Sequence, residues 1–142
     1  MRTIKFRGII KYQDDIFSGF WFGNLIIYAN GDTFIRQIET GQELEVITDT
    51  VGQFTGLIDK NGKEIYEGDI IIDETNRKGT VIFYNGCFSF ITEFLSIMKV
   101  IDKISNVIGN IYDNPELVKQ PWKYIITALS SKAMIWIITV NL

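Results

Sequence analysis

Polar and apolar residues alternate along residues 3–11 (TIKFRGIIK) through Ile4, Phe6 and Ile9, with a break at Gly8. A period of two is the signature of a strand, and the break predicts a bulge, with Ile4 and Phe6 pointing inward. A polar loop containing Asp14 and Asp15 follows, then the apolar run 20–28 (FWFGNLIIY), then TFIRQI at 33–38. Asn30-Gly31 lies between the last two. Asn-Gly between apolar runs is the strongest short-range hairpin signal, because both residues tolerate positive φ. The device recurs at Asn61-Gly62, between TVGQFTGLI (50–58) and EIYEGDIIID (64–73), and at Asn85-Gly86, between GTVIFY (79–84) and CFSFITEF (87–94). ISNVIGNIY (104–112) reads as a last strand.

Two short helices interrupt this pattern. Phe94, Ile97, Met98 and Ile101 share a helical face behind Thr92 as a cap, which is the spacing of core packing. Residues 114–119 (NPELVK) carry a start signal, with Asn114 as N-cap, Pro115 at the first helical position and Glu116 at the positive end of the dipole. The predicted fold is mainly β: an antiparallel meander that closes into a small β-barrel-like domain, with one or two short helices near the C-terminus. Residues 1–118 form that domain, with about 1–50 and 51–118 as candidate sub-barrels.

Residues 119–142 differ from the rest. Segment 124–142 holds thirteen apolar residues and a single charge, Lys132, near its middle. A lysine at the centre of a membrane span costs about 2.5–3.5 kcal/mol, against only about 0.3–0.6 kcal/mol returned by each strongly apolar residue. A hairpin turning at Ser130-Ser131-Lys132 and packed on the body or on a partner suits the β-branched content better than a span.

Composition supports strands: aromatic residues make up 13% of the 142, and branched and aromatic side chains suit a pleated, half-buried surface. It also removes chemistry. With no histidine, the commonest general base and metal ligand is missing. The single cysteine, Cys87, excludes an internal disulfide and a paired-cysteine zinc site. No cofactor and no metal are expected. Nothing marks the chain for export, and the reading is cytoplasmic.

The net charge of −3 is unevenly spread. Arg2, Lys5, Arg7 and Lys11 crowd the first eleven residues without an acid, whereas 39–74 carries ten acids against Lys60 and Lys63. The basic start could touch phosphates, but a domain acidic over much of its surface repels a polyanion.

Several inviting constellations fail on spacing. Asp59-Lys60-Asn61-Gly62 lacks the sixth-position glycine and closing glutamate of a calcium loop, so it is a turn. Gly52 and Gly56 lack the Lys-Ser/Thr of a phosphate loop. Glu67 and Asp69, two apart on one strand, form the kind of carboxylate pair that is common on strand surfaces. Cys87, without a histidine base, is a small core residue. Nothing here points to an enzyme.

Four segments, RTIKFRG (2–8), GFWFGNL (19–25), VGQFTGLIDKNGKEIYEGDII (51–71, followed by GTVIFYNGCFSF at 79–90) and VIGNIYDNPEL (107–117), together resemble the YopX family of bacteriophage and prophage proteins. The resemblance covers about residues 2–118 and leaves the tail outside. It implies a β-barrel-like fold, a phage or prophage origin in a bacterial host cell, and a homo-oligomer; it supplies no activity and no site residues.

Aromatic residues exceed what one small core needs, and surplus rings favour interfaces. The leading reading is a non-catalytic, homo-oligomeric interaction module whose partner is a second copy or an unidentified phage or host protein. Its candidate interface residues are Phe20, Trp21, Phe22, Tyr66, Trp122 and Trp136. The alternative is a small-barrel nucleic-acid-binding protein using the basic N-terminal strand and aromatic stacking.

Overall fold

The computed structural model describes residues 2–12, 18–92, 97–100 and 105–118. The chain divides into two compact units, Met1–Glu67 and Gly68–Leu142.

The first unit is built from β1 (Phe6–Ile9), β2 (Phe20–Ile27), β3 (Thr33–Arg36), β4 (Glu43–Glu45), β5 (Gly52–Ile58) and β6 (Glu64–Tyr66). All pairings are antiparallel, in the order β4-β3-β2-β1-β5-β6. The register of β1 on β2 runs without a break from Phe6↔Gly23 to Ile9↔Phe20, so the bulge expected at Gly8 is absent. Gly8 has a different use. A Cβ there would lie 2.9 Å from the Val46 Cβ and 3.3 Å from Ile35 Cδ1, so the missing side chain lets β1 pack directly on Ile35 and Val46. Those two and Ile10 are at most 3% exposed and form the centre of the unit. Each such buried aliphatic side chain stabilises the fold by about 1.5–3 kcal/mol.

The outer edge of β1 is divided between two partners. Phe6 and Arg7 pair with Gln53 and Gly52 of β5, while Ile10 bridges Val46. Flanking that bridge, the Ile47 N–H donates to Ile9 O at 2.8 Å and the Lys11 N–H to Glu45 O at 2.9 Å. The sheet therefore curls until the end of β4 reaches the end of β1 at one bridge, and among the described residues neither unit closes into the expected barrel. A four-residue strand that gives half its edge to β5 has too few free backbone groups for a closing ladder.

The second unit contains β7 (Asp69–Asp73), β8 (Lys78–Tyr84), β9 (Cys87–Thr92), β10 (Ile97–Lys99) and β11 (Ser105–Asn110), antiparallel in the order β10-β9-β8-β7-β11. Its central strands are apolar on both faces: Ile70, Ile71, Val81, Ile82, Phe90 and Ile91 are all buried. The run 64–73, which reads as one strand, is cut at Glu67-Gly68 into β6 and β7, one in each sheet. Residues 97–99 correct the helix expected over 94–101. They form β10, in register Ile97↔Ile91, Met98↔Phe90, Lys99↔Ser89. Ladder bonds to β9 satisfy an edge that a helix would leave open, which outweighs a weak local spacing preference. The NPEL segment makes only a one-turn 3₁₀ helix, Pro115–Leu117. Asn114 does not cap it with its side chain. Its Oδ1 instead accepts the Asn110 N–H at 3.3 Å, tying the turn to β11.

Among the described residues no helix is long and apolar enough to cross a membrane. Trp122, Trp136 and the whole segment 119–142 lie outside the described residues.

Candidate interaction site on the first unit

Successive side chains of a strand point to opposite faces, so Phe20 and Phe22 share one face of β2 and Trp21 takes the other. Trp21 is half-buried opposite Gly8. On the other face, Arg7 stands directly across from Phe22. Arg7 rather than Ile4 is the inward residue of the first strand: Arg7 is 5% exposed and Ile4 58%. Phe6, expected inside, is half-buried.

A buried guanidinium must be compensated. Its carbon sits 4.4 Å from the Phe20 ring centroid and 5.1 Å from that of Tyr66, within cation–π range, and Nη2 donates to the Glu67 carbonyl at 3.2 Å. The rings also pack on one another. Phe22 meets Tyr66 edge-on at 5.5 Å, Phe20 lies 6.4 Å from Phe22, and Phe54 lies 5.4 Å from Tyr66. The result is an aromatic layer threaded by one cation. Tyr66, at 2% exposure, is inside it, and Phe22, at 45%, forms its open rim.

The layer's border is polar. Lys5 lies 4.9 Å above Phe54 and donates to Glu64 at 2.5 Å, while the Tyr66 hydroxyl donates to the other Glu64 oxygen at 2.8 Å. Burial pushes the Glu64 carboxyl up, but the bonds from Lys5 and Tyr66 outweigh it and hold the group below the usual carboxylate range. Lys11 donates to Glu45, which raises its pKa, and lies 5.3 Å from the Tyr12 ring. Lys5, Arg7 and Lys11 are thus engaged within the unit. The sequence reading missed this for Arg7. The available signal was the pairing of an arginine with aromatic residues two apart on the partner strand.

At the far end of the same unit, Lys11, Asp32, Thr33, Glu45, Thr48 and Asp49 line an open concavity of about 290 Å³, with the Thr33 and Thr48 hydroxyls 2.9 Å apart. Among the described residues no group of three or more His, Cys, Asp or Glu is placed to hold a metal ion. Glu67 and Asp69, read as one strand-face pair, fall in different elements: Glu67 lies in the turn after β6, its carboxylate accepting the Gln53 N–H at 3.0 Å, and Asp69 is buried at the start of β7. Cys87 is half-buried, its Sγ 3.4 Å from Tyr84 O and 3.5 Å from Ser89 Oγ.

Comparison with known proteins gives a consistent picture. Residues 5–119 match the family described as YopX protein. The crystal structure of protein EF1440 from Enterococcus faecalis is similar, with a TM-score of 0.53 and 24% identity, over 84% of this chain and all of that one. The crystal structure of yopX from Bacillus subtilis is similar over the same shares, with a TM-score of 0.52 and 22% identity. At these identities the likeness is one of fold. No curated protein matches the sequence.

Proposed function

The chain belongs to the YopX family, and from that premise we propose that it is a non-catalytic interaction module that self-associates through the aromatic face of β2. The observation that carries the reading is Phe22. A phenylalanine left 45% exposed, on the rim of an aromatic layer and edge-on to the buried Tyr66, gains from a second apolar surface. Phe20 and the buried Tyr66 hold it in place from beneath; Trp21 supports the opposite face of the strand. The apolar tail, with Trp122 and Trp136, is the second candidate contact, and the family match ends at residue 119, before it.

The nucleic-acid reading draws less support. Lys5 and Lys11 are ion-paired and Arg7 is buried, so much of the basic strand's charge is committed inside the unit. A protein using that strand on phosphates would present those cations to solvent.

Sedimentation of the full chain, of Phe22→Ser and of a chain ending at Val118 tests the proposal at tens of micromolar. Association of the full chain that is lost in Phe22→Ser, with an unchanged circular dichroism spectrum, supports it. A monomeric full chain ends it, and retention on single-stranded DNA that weakens with salt would favour the alternative.

A further inference from the structure

The three Asn-Gly pairs occupy two different kinds of turn, and the difference is chemical as well as geometric. At Asn30-Gly31 and Asn61-Gly62 the glycine amide is engaged: the Gly31 N–H donates to Tyr28 O at 2.9 Å, and the Gly62 N–H to Asp59 O at 3.1 Å. The Asn30 side chain is also tied, its Nδ2 donating to Asp32 at 2.7 Å and its Oδ1 accepting the Asp32 N–H at 3.1 Å. Asn85-Gly86 is a two-residue loop closed by the Tyr84↔Cys87 pair, with both residues at positive φ, 48° and 77°. In such a loop the amide of the second residue points to solvent. Both residues are exposed, and neither the Asn85 side chain nor the Gly86 amide makes a hydrogen bond.

These are the two groups that react when an asparagine deamidates. We propose that Asn85-Gly86 is the site at which this protein modifies itself in solution, by succinimide formation at the tip of the β8–β9 hairpin. The Gly86 nitrogen, losing its proton to solvent, attacks Asn85 Cγ; the new C–N bond closes a five-membered imide and the side-chain nitrogen leaves as ammonia. Water then opens either imide carbonyl, giving aspartate or isoaspartate at position 85. The balance is one amide and one water converted to one carboxylic acid and one ammonia, with no change in oxidation state. Glycine presents no side chain against the attack, and the only structure to be undone is the turn, whose left-handed backbone must rotate before nitrogen and carbon can meet. The isoaspartate product lengthens the backbone of a two-residue loop by one carbon. It also places a carboxylate two residues from Phe83, which is 52% exposed.

The test is incubation of the full-length native protein in mildly alkaline buffer, followed by tryptic mass spectrometry. The peptide spanning 79–99 contains Asn85 as its sole asparagine; Asn61 falls in 61–63 and Asn30 in 12–36. The expected result is that conversion in 79–99 outpaces the other two by several-fold in the native protein, and that this advantage collapses in urea, where all three pairs are equally free. An isoaspartyl methyltransferase should label native, aged protein, and Asn85→Gly, which keeps the turn and removes the amide, should abolish most of that label. Faster conversion at Asn30 or Asn61 in the native state, or labelling undiminished in Asn85→Gly, overturns the proposal.

Discussion

The loop 59–63 of the first unit and the loop 73–77 of the second are the same device made from different residues. In each, an aspartate opens the loop and its amide donates to the carbonyl four positions on: Asp59 to Lys63 at 2.7 Å, Asp73 to Arg77 at 3.0 Å. In each, the amide three positions on returns a bond to the aspartate carbonyl, and that residue is left-handed: Gly62 at φ 84° and Asn76 at φ 62°. The aspartate Oδ1 caps both loops from within. Asp59 accepts the Asn61 and Lys63 amides, each at 2.8 Å, and Asp73 the Thr75 and Arg77 amides at 3.0 and 2.9 Å. Both loops therefore combine a carboxylate cap at the first position with tolerance of positive φ at the fourth. The Asn-Gly pair is one way among others to supply the second.

The two loops differ in burial. Asp59 is 2% exposed, while Asp73 is intermediate, its side chain only 5% exposed beneath a half-exposed partner, Arg77, at 2.7 Å. The largest effect follows from that difference. Asp59→Ala removes a buried acceptor from two loop amides and should cost about 2–3 kcal/mol in urea unfolding. Asp73→Ala, where water can replace the lost acceptor, should cost clearly less. Equal losses would mean that the surroundings of the two carboxylates do not set what each contributes to its loop.

The same comparison shows what could be read from the sequence. Asn61-Gly62 was visible because glycine at a left-handed position leaves a compositional mark. Asp73-Glu74-Thr75-Asn76-Arg77 was not, since its signal is an aspartate and an asparagine three apart, a spacing that also occurs in helices and loops. The antiparallel, mainly β architecture was legible for the same reason as the visible turn: runs of period two punctuated by Asn-Gly. The inward face of β1 was not, because Arg7 becomes a core residue only when Phe20 and Tyr66 arrive from other strands to receive its charge. Residues 97–99 failed in the opposite way: a helical spacing was present, and pairing with β9 overrode it. The Phe22 rim follows from the run 20–22, but its exposure depends on which rings Tyr66 and Phe54 cover.

An acid titration sharpens the contrast. Burial pushes the Asp73 carboxyl up, yet bonds from the Arg77 guanidinium, the Thr75 hydroxyl and the two loop amides hold it at about 2, below its ordinary 3.8. A folded-state value below the unfolded one means that the stabilisation is complete above about pH 4 and drains away as the pH falls toward 2. With Arg77 46% exposed, solvent screening keeps the term to about 1 kcal/mol. The difference in unfolding free energy between the parent and Asp73→Asn should therefore shrink by about that much between pH 5 and pH 2. A difference that stays flat across this range would remove the carboxylate from the account of the loop.

The smallest effects come from exchanging the fourth residues. An ordinary L-residue in the left-handed region pays about 1–2 kcal/mol in contacts between its Cβ and the following carbonyl, a penalty that glycine escapes and asparagine partly offsets by local hydrogen bonding. Glycine, for its part, gives up more chain entropy on folding, roughly 0.5–1 kcal/mol relative to alanine. The two terms nearly cancel, so Gly62→Asn and Asn76→Gly should each move the unfolding free energy by no more than about 0.5 kcal/mol. Alanine has neither advantage, and Gly62→Ala and Asn76→Ala should each lose about 1 kcal/mol. Nothing lies within 4 Å of where a Cβ on Gly62 would sit, so any loss there reports backbone conformation and not a clash. Thermal unfolding of the four variants separates the cases. If Asn76→Ala proves as stable as the parent, the left-handed residue of the second loop is a consequence of the Asp73 cap, and the likeness between the loops stops at the carboxylate.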